Sequence, residues 1–196
     1  MYTFPFDISD FTKIEYKKNE IIKNEGDICN QIGFILSGSI NISNINWNNK
    51  EFNFQHFNEG DLFGEMLIFS ENNFYPGTIY ATSNCTILYI SKPKFLNKLA
   101  KDTSFSDYYF SYTSNKFIQL QTRIKILSQP SIEDKFLYYL KTQIQRHNTN
   151  KIKIKSITKL AEYLNVTRPS LSRTINILIN ENKIQVINKI YSIKNP

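Results

Sequence analysis

Arg168, Ser172, Arg173 and Asn176 fall at i, i+4, i+5 and i+8 in the stretch VTRPSLSRTINILIN, a spacing that places them on the polar side of one helix. The guanidinium fork of arginine matches the O6 and N7 acceptors of guanine in the major groove, and serine and asparagine can bond base edges or phosphates. Thr167 and Ser170 add hydroxyls at the start of the same stretch. The chemistry on offer is therefore base reading. Bond-making finds no support: there is no nucleophile with a base and an orienting group, no glycine-rich phosphate loop and no His/Asp/Glu cluster. An enzyme is not expected, and no metal site either.

Those side chains need a frame. Ser156 is an N-cap type, and Ile157, Leu160, Ala161 and Leu164 follow at helical spacing. Asn165 then supplies a residue tolerant of the left-handed conformation that a sharp turn needs. Thr167 caps a second helix with Pro169 in its first turn, where a missing N–H costs nothing, and Leu171, Ile175 and Leu178 form its buried stripe. Small Ala161 lets the two helices cross closely. The sequence KIKIK, Lys151 to Lys155, alternates like a strand, and Lys183 to Ile193 reads as a hairpin turning at Asn188 and Lys189. Together these predict a winged helix-turn-helix, with Lys153, Lys155 and Lys189, joined by Lys151, as phosphate contacts.

Charge agrees with that reading. Residues 1–128 carry 12 Lys and Arg against 13 Asp and Glu, net −1, whereas residues 129–196 carry 12 against 4, net +8. The excess positive charge of the last third suits a polyanion, and double-stranded DNA is the partner that the helix pair favours over a membrane surface. No membrane association is expected. Two cysteines, Cys29 and Cys85, are too few for a disulfide framework or a cysteine-rich cluster, and the N-terminus lacks a leader pattern. A cytoplasmic protein is expected.

From Ile14 to Ile90 short runs rich in Ile, Phe and Tyr are broken by Gly, Asn and Asp, which predicts an all-β barrel or jelly roll. Candidate strands are Glu20 to Lys23, Gly33 to Leu36, Ser39 to Ile45, Glu51 to Phe57, Thr78 to Ala81 and Thr86 to Ile90. Helices are predicted over Lys92 to Ala100, over Thr103 to Ser128, and from Ser131 to about Arg146. The long helix offers Phe105, Tyr108, Tyr109 and Tyr112 to the barrel. A second stripe, Phe110, Thr113, Phe117, Leu120, Ile124 and Leu127, repeats at the spacing of a coiled-coil seam and implies self-pairing as a homodimer; the other reading buries both stripes within one subunit. The expected fold class is α+β: a β jelly roll over residues 1–102, a dimerisation helix over 103–128 and a winged helix-turn-helix over 129–196. His56 reads as a packed strand residue, His147 as a solvated loop residue, and each cysteine as a small buried hydrophobe.

The order of these parts resembles the Crp/Fnr transcription factors, the family of the cyclic-AMP receptor protein and the fumarate and nitrate reduction regulator. The residues that carry the resemblance are Gly26-Asp27, Phe34 to Ile40 (FILSGSI), Gly60 to Glu65 (GDLFGE) and Thr167 to Arg173 (TRPSLSR). It implies a cyclic nucleotide-binding-like barrel, a homodimer joined through the long helix, two recognition helices on a palindromic DNA site, and RNA polymerase as a further possible partner. It also implies an effector pocket at Phe63, Gly64, Glu65, Gly77 and Thr78, with Phe117 and Leu120 from the long helix. Nucleotide-binding relatives carry Arg-Ser or Arg-Thr about ten residues after Gly-Glu; here the region reads Tyr75-Pro76-Gly77-Thr78, without arginine. Leu120 stands where those relatives carry a hydroxyl. Cyclic AMP is therefore not the expected effector, nor is an iron–sulfur cluster, while haem or another small effector stays open. Pro169 stands where many relatives carry glutamate, which leaves Arg168 and Arg173 as the expected base readers. The competing reading is a cyclic-nucleotide or other small-ligand sensor acting through protein partners rather than DNA.

Overall fold

A computed structural model describes residues 3–45 and 51–194. The sequence predicts a polar hairpin tip over Asn44 to Lys50, and most of it lies outside the described residues. The chain divides into two compact units, Met1–Ser111 and Tyr112–Pro196.

The first unit holds two four-stranded antiparallel sheets. One has the order β1 (Thr12–Tyr16), β8 (Cys85–Ser91), β3 (Gln31–Ser37), β6 (Leu62–Phe63); the other β2 (Ile21–Lys23), β7 (Thr78–Ala81), β4 (Ser39–Ile45), β5 (Glu51–Asn58). The six predicted strands are all present. β1 is not among the predicted strands, although Ile14 and Tyr16 alternate with Lys13 and Glu15; it is exposed from Thr12 to Glu15 and pairs with β8 from Thr12↔Tyr89 to Tyr16↔Cys85. β6 is only two residues long, and one close approach fixes it. Gly33 lies opposite Phe63, and a Cβ on residue 33 would stand 2.2 Å from the Phe63 ring, so only glycine admits that ring to the interior.

Two helices finish this unit: α1 (Lys92–Lys101) and the first part of α2 (Thr103–Leu127). Phe105 is fully buried, and Tyr108 donates a long hydrogen bond to the Gly60 carbonyl (3.4 Å). The segment before β1 takes part in this packing. It supplies Phe4, Phe6 and Phe11, which pack edge-on with Phe34 of β3 and bring Phe105 and Tyr108 into one aromatic cluster. The expected packing of the long helix against the barrel is thus made by phenylalanines from both chain directions.

The second unit contains the rest of α2, then α3 (Ile132–His147), β9 (Ile152–Lys153), α4 (Ile157–Tyr163), α5 (Arg168–Asn180), β10 (Ile184–Ile187) and β11 (Ile190–Ile193). Ser131 caps α3 by accepting from the Asp134 N–H at 3.0 Å, and Asn148 ends it in the left-handed region. Its three-stranded sheet has the order β10-β11-β9. The core is Phe136 and Leu140 of α3, Leu160, Ala161 and Leu164 around α4, Leu171, Ile175 and Leu178 of α5, Ile184 and Tyr191 of the hairpin, and Ile126 of α2.

Candidate nucleic-acid interface

α4 ends at Tyr163. Asn165 takes φ 54, and the Val166 N–H returns to the Ala161 carbonyl (3.0 Å), closing the turn as the asparagine implied. α5 then starts on Thr167, whose Oγ1 accepts the Ser170 N–H at 3.3 Å while its hydroxyl donates to Ser170 Oγ at 2.8 Å. The two hydroxyls expected to face DNA are thus joined to each other and fix the first turn. With Leu171, Ile175 and Leu178 buried, Arg168, Pro169, Arg173 and Asn176 are exposed and Ser172 is half-buried. Ile177 is 50% exposed beside Asn176.

The lysines expected to hold phosphates lie on or next to the sheet of the same unit. Lys153 on β9 pairs in register with Ile190 of β11, and Lys151, Lys153 and Lys155 are all exposed. Lys189 sits at the wing tip: Ile187↔Ile190 closes a two-residue turn in which Asn188 and Lys189 have φ 51 and 63, the mirror-image turn that matches strand twist. Two acidic side chains of the unit are engaged elsewhere. Glu133 and Glu181 both bind Lys183, at 2.7 and 2.8 Å, and their carboxylates hold that ammonium well above the usual lysine range.

In the barrel, Phe63 is 1% exposed and packs against Phe57 and Tyr89. Gly64 has φ 82, and the space where a Cβ would project is bounded by Cys29 Sγ and the Gln31 carbonyl, both 3.0 Å away, and by the Tyr75 hydroxyl at 3.4 Å. Glu65 is half-buried, Gly77 buried, and Thr78 Oγ1 accepts a long bond (3.4 Å) from the Glu25 N–H. Tyr75 is 2% exposed and its hydroxyl lacks a partner of ordinary hydrogen-bond geometry. Burial pushes that hydroxyl far above its usual range, helped by the neighbouring Cys29 thiol, and burial raises Cys29 as well. What surrounds Gly64 is therefore a phenol and a thiol held neutral. A cyclic nucleotide phosphate asks for a fixed cation, and these residues do not fit it.

Phe117 and Leu120, the other two pocket candidates, lie on α2 in the second unit, 57% and 55% exposed. With Phe110 at 60% and Ile124 at 56% they leave the seam stripe open in the single chain, while Thr113 and Leu127 are half-buried. Cys29 and Cys85 are buried free thiols, as expected. His56 departs from expectation: it is exposed on β5, its ring contacting Asn41 and Asn58, because that face of the strand looks outward. His147 is exposed but closes α3 rather than lying in a loop. Among the described residues no group of His, Cys, Asp or Glu is assembled as a metal site, and no helix is long and apolar enough to cross a membrane.

Comparison with known proteins agrees with this architecture. The cyclic nucleotide-binding domain family matches residues 13–102. Among solved structures, CprK in complex with OCPA aligns over 96% of this chain and 87% of its own at 13% identity, TM-score 0.68. A CooA mutant from Carboxydothermus hydrogenoformans aligns over 96% and 85% at 19% identity, TM-score 0.62. The c-di-GMP-responsive global regulator CLP of Xanthomonas campestris aligns over 96% of both chains at 16% identity, TM-score 0.56. By sequence, none of the curated proteins matches. The chain thus carries a cyclic nucleotide-binding domain followed by a winged helix-turn-helix, and has the fold of the Crp/Fnr transcriptional regulators.

Proposed function

We propose that this chain is a sequence-specific DNA-binding transcriptional regulator of the Crp/Fnr type, cytoplasmic and homodimeric through α2, whose barrel senses something other than cyclic AMP. The observation that carries the reading is α5, an outward face bearing Arg168, Arg173 and Asn176 on a closed helix-turn-helix within a strongly basic unit. Arg168 and Arg173 read bases, with Asn176 and Ser172 reaching a base edge or phosphate. Thr167 and Ser170 set the first turn, and the Ser170 hydroxyl reaches a base or phosphate. Lys151, Lys153, Lys155 and Lys189 hold phosphates.

In the dimer, the open stripe of Phe110, Phe117, Leu120 and Ile124 is covered by its own symmetry mate, an isologous contact that demands a palindromic site. RNA polymerase is the partner through which such a regulator acts. The barrel's ligand, if bound around Phe63, Gly64, Glu65, Gly77 and Thr78, is one that tolerates neutral donors. Selection of bound sites from a random DNA library tests the reading. A palindromic motif is expected, and recovery of no motif overturns sequence recognition in favour of a sensor acting on protein.

A further inference from the structure

α2 does more in the second unit than present a seam. Ile126, its penultimate residue, is 0% exposed and belongs to the winged-helix core. Three residues earlier, on the adjoining turn, the Arg123 guanidinium lies over the Tyr163 ring, 5.3 Å from its centroid, within cation–π range. The Tyr163 ring is itself set edge-on against Tyr139 of α3 at 5.8 Å. Tyr163 is the last residue of α4, and the turn that follows delivers α5. The path from α2 to the reading face is therefore short: Arg123, Tyr163, the Asn165 turn, the Thr167 cap.

We propose that Arg123 and Tyr163 are positioning residues for DNA recognition: they clasp α4 to α2, and so set the angle of α5 relative to the helix that pairs two copies. This rests on the reading of the chain as a dimeric DNA-binding regulator. One anchor, Ile126, fixes where the winged domain meets α2 but leaves rotation about that point. A second contact on an adjacent turn removes the rotation. The consequence is confined to sites that need both recognition helices at once. A single half-site makes no demand on the angle, whereas a palindrome with fixed spacing does.

The test compares full palindrome, isolated half-site and palindromes whose half-sites are moved apart by a few base pairs, using the full chain. Losing a partly exposed cation–π contact weakens docking by about two- to five-fold per protomer. Arg123→Ala is therefore expected to bind the full site about four- to twenty-five-fold more weakly, the product over two protomers, with half-site affinity unchanged. Its discrimination against altered spacing should relax. Tyr163→Ala should match it, Tyr163→Phe should stay close to wild type because the ring is kept, and Arg123→Lys should recover part of the loss. The Arg123→Ala/Tyr163→Ala pair should lose no more than either alone.

Equal losses on half-site and full site, or a salt slope lowered by about one, would make Arg123 a phosphate contact and overturn the clasp. So would unchanged spacing discrimination. If instead the wild type selects no DNA site, the regulator reading fails and the proposal falls with it, a result distinct from a wild type that selects and a variant that behaves identically.

Discussion

Arg173 and Lys153 are both exposed cations of the same unit, yet they should fail differently. Arg173 lies on the outward face of α5, so Arg173→Ala leaves a guanine edge unread, at a cost of about 1 to 3 kcal/mol on the cognate site and little on random DNA. Lys153 is on β9 rather than on α5, and as a phosphate contact its loss should weaken all DNA alike and lower the salt slope by about one. Titrations on cognate and random duplexes at several salt concentrations check both. In the barrel, the deciding residue is Tyr75, a buried phenol where a phosphate would want a cation. Calorimetry with cyclic AMP is expected to show no binding tighter than about micromolar, the range that a fixed ion pair would be needed to reach. Residue types and caps were legible in the sequence, including the left-handed Asn165 and the Asn188-Lys189 turn. The Thr167–Ser170 pairing was not, since a hydroxyl one turn from an N-cap can face solvent or the cap equally well. His56 misled for the same reason: beside Phe57 it looks apolar, but alternate strand residues face opposite sides.

At the scale of elements, strong periodicity was readable and weak periodicity was not. α5, with its stripe at Leu171, Ile175 and Leu178, emerged where expected, and so did the hairpin. β1 escaped because its alternation rests on Ile14 and Tyr16 alone, too short a run to stand out from its polar flanks. The N-terminal aromatic segment escaped because its phenylalanines pack across the fold onto β3 and α2, contacts that no local window contains. That cluster gives the next prediction. Phe105 is 0% exposed and meets Phe6, Phe34 and Phe95 at once, so Phe105→Ala should cost the barrel about 3 to 5 kcal/mol through a cavity with several aromatic walls. Denaturant unfolding followed by tyrosine fluorescence would show it as a lower midpoint for the barrel transition. An exposed control such as Phe74→Ala, at 48% exposure, should move the midpoint little.

For the whole molecule the question is what covers the open stripe of α2. Phe110, Phe117, Leu120 and Ile124 are each more than half exposed in the single chain, and their 3,4 spacing is what a second helix of the same sequence accepts. A pair of such helices would bury Phe117 and Leu120 against their symmetry mates. Phe117→Asp with Leu120→Asp would then place unpaired carboxylates in that contact, at a cost on the order of several kcal/mol each, enough to separate a dimer of ordinary strength. Light scattering should find the wild type dimeric at tens of micromolar, roughly, and the variant monomeric. The core of the second unit draws on Ile126 rather than on these positions, so the variant's winged domain should stay folded, with helical circular dichroism retained. Its DNA binding should change in kind. Half-site affinity should persist, while the gain from joining two half-sites about 34 Å apart, which depends on one helix holding both reading heads, should vanish. A wild type that remains monomeric at those concentrations, or a variant that still favours the palindrome, would mean that something other than this stripe joins the two copies.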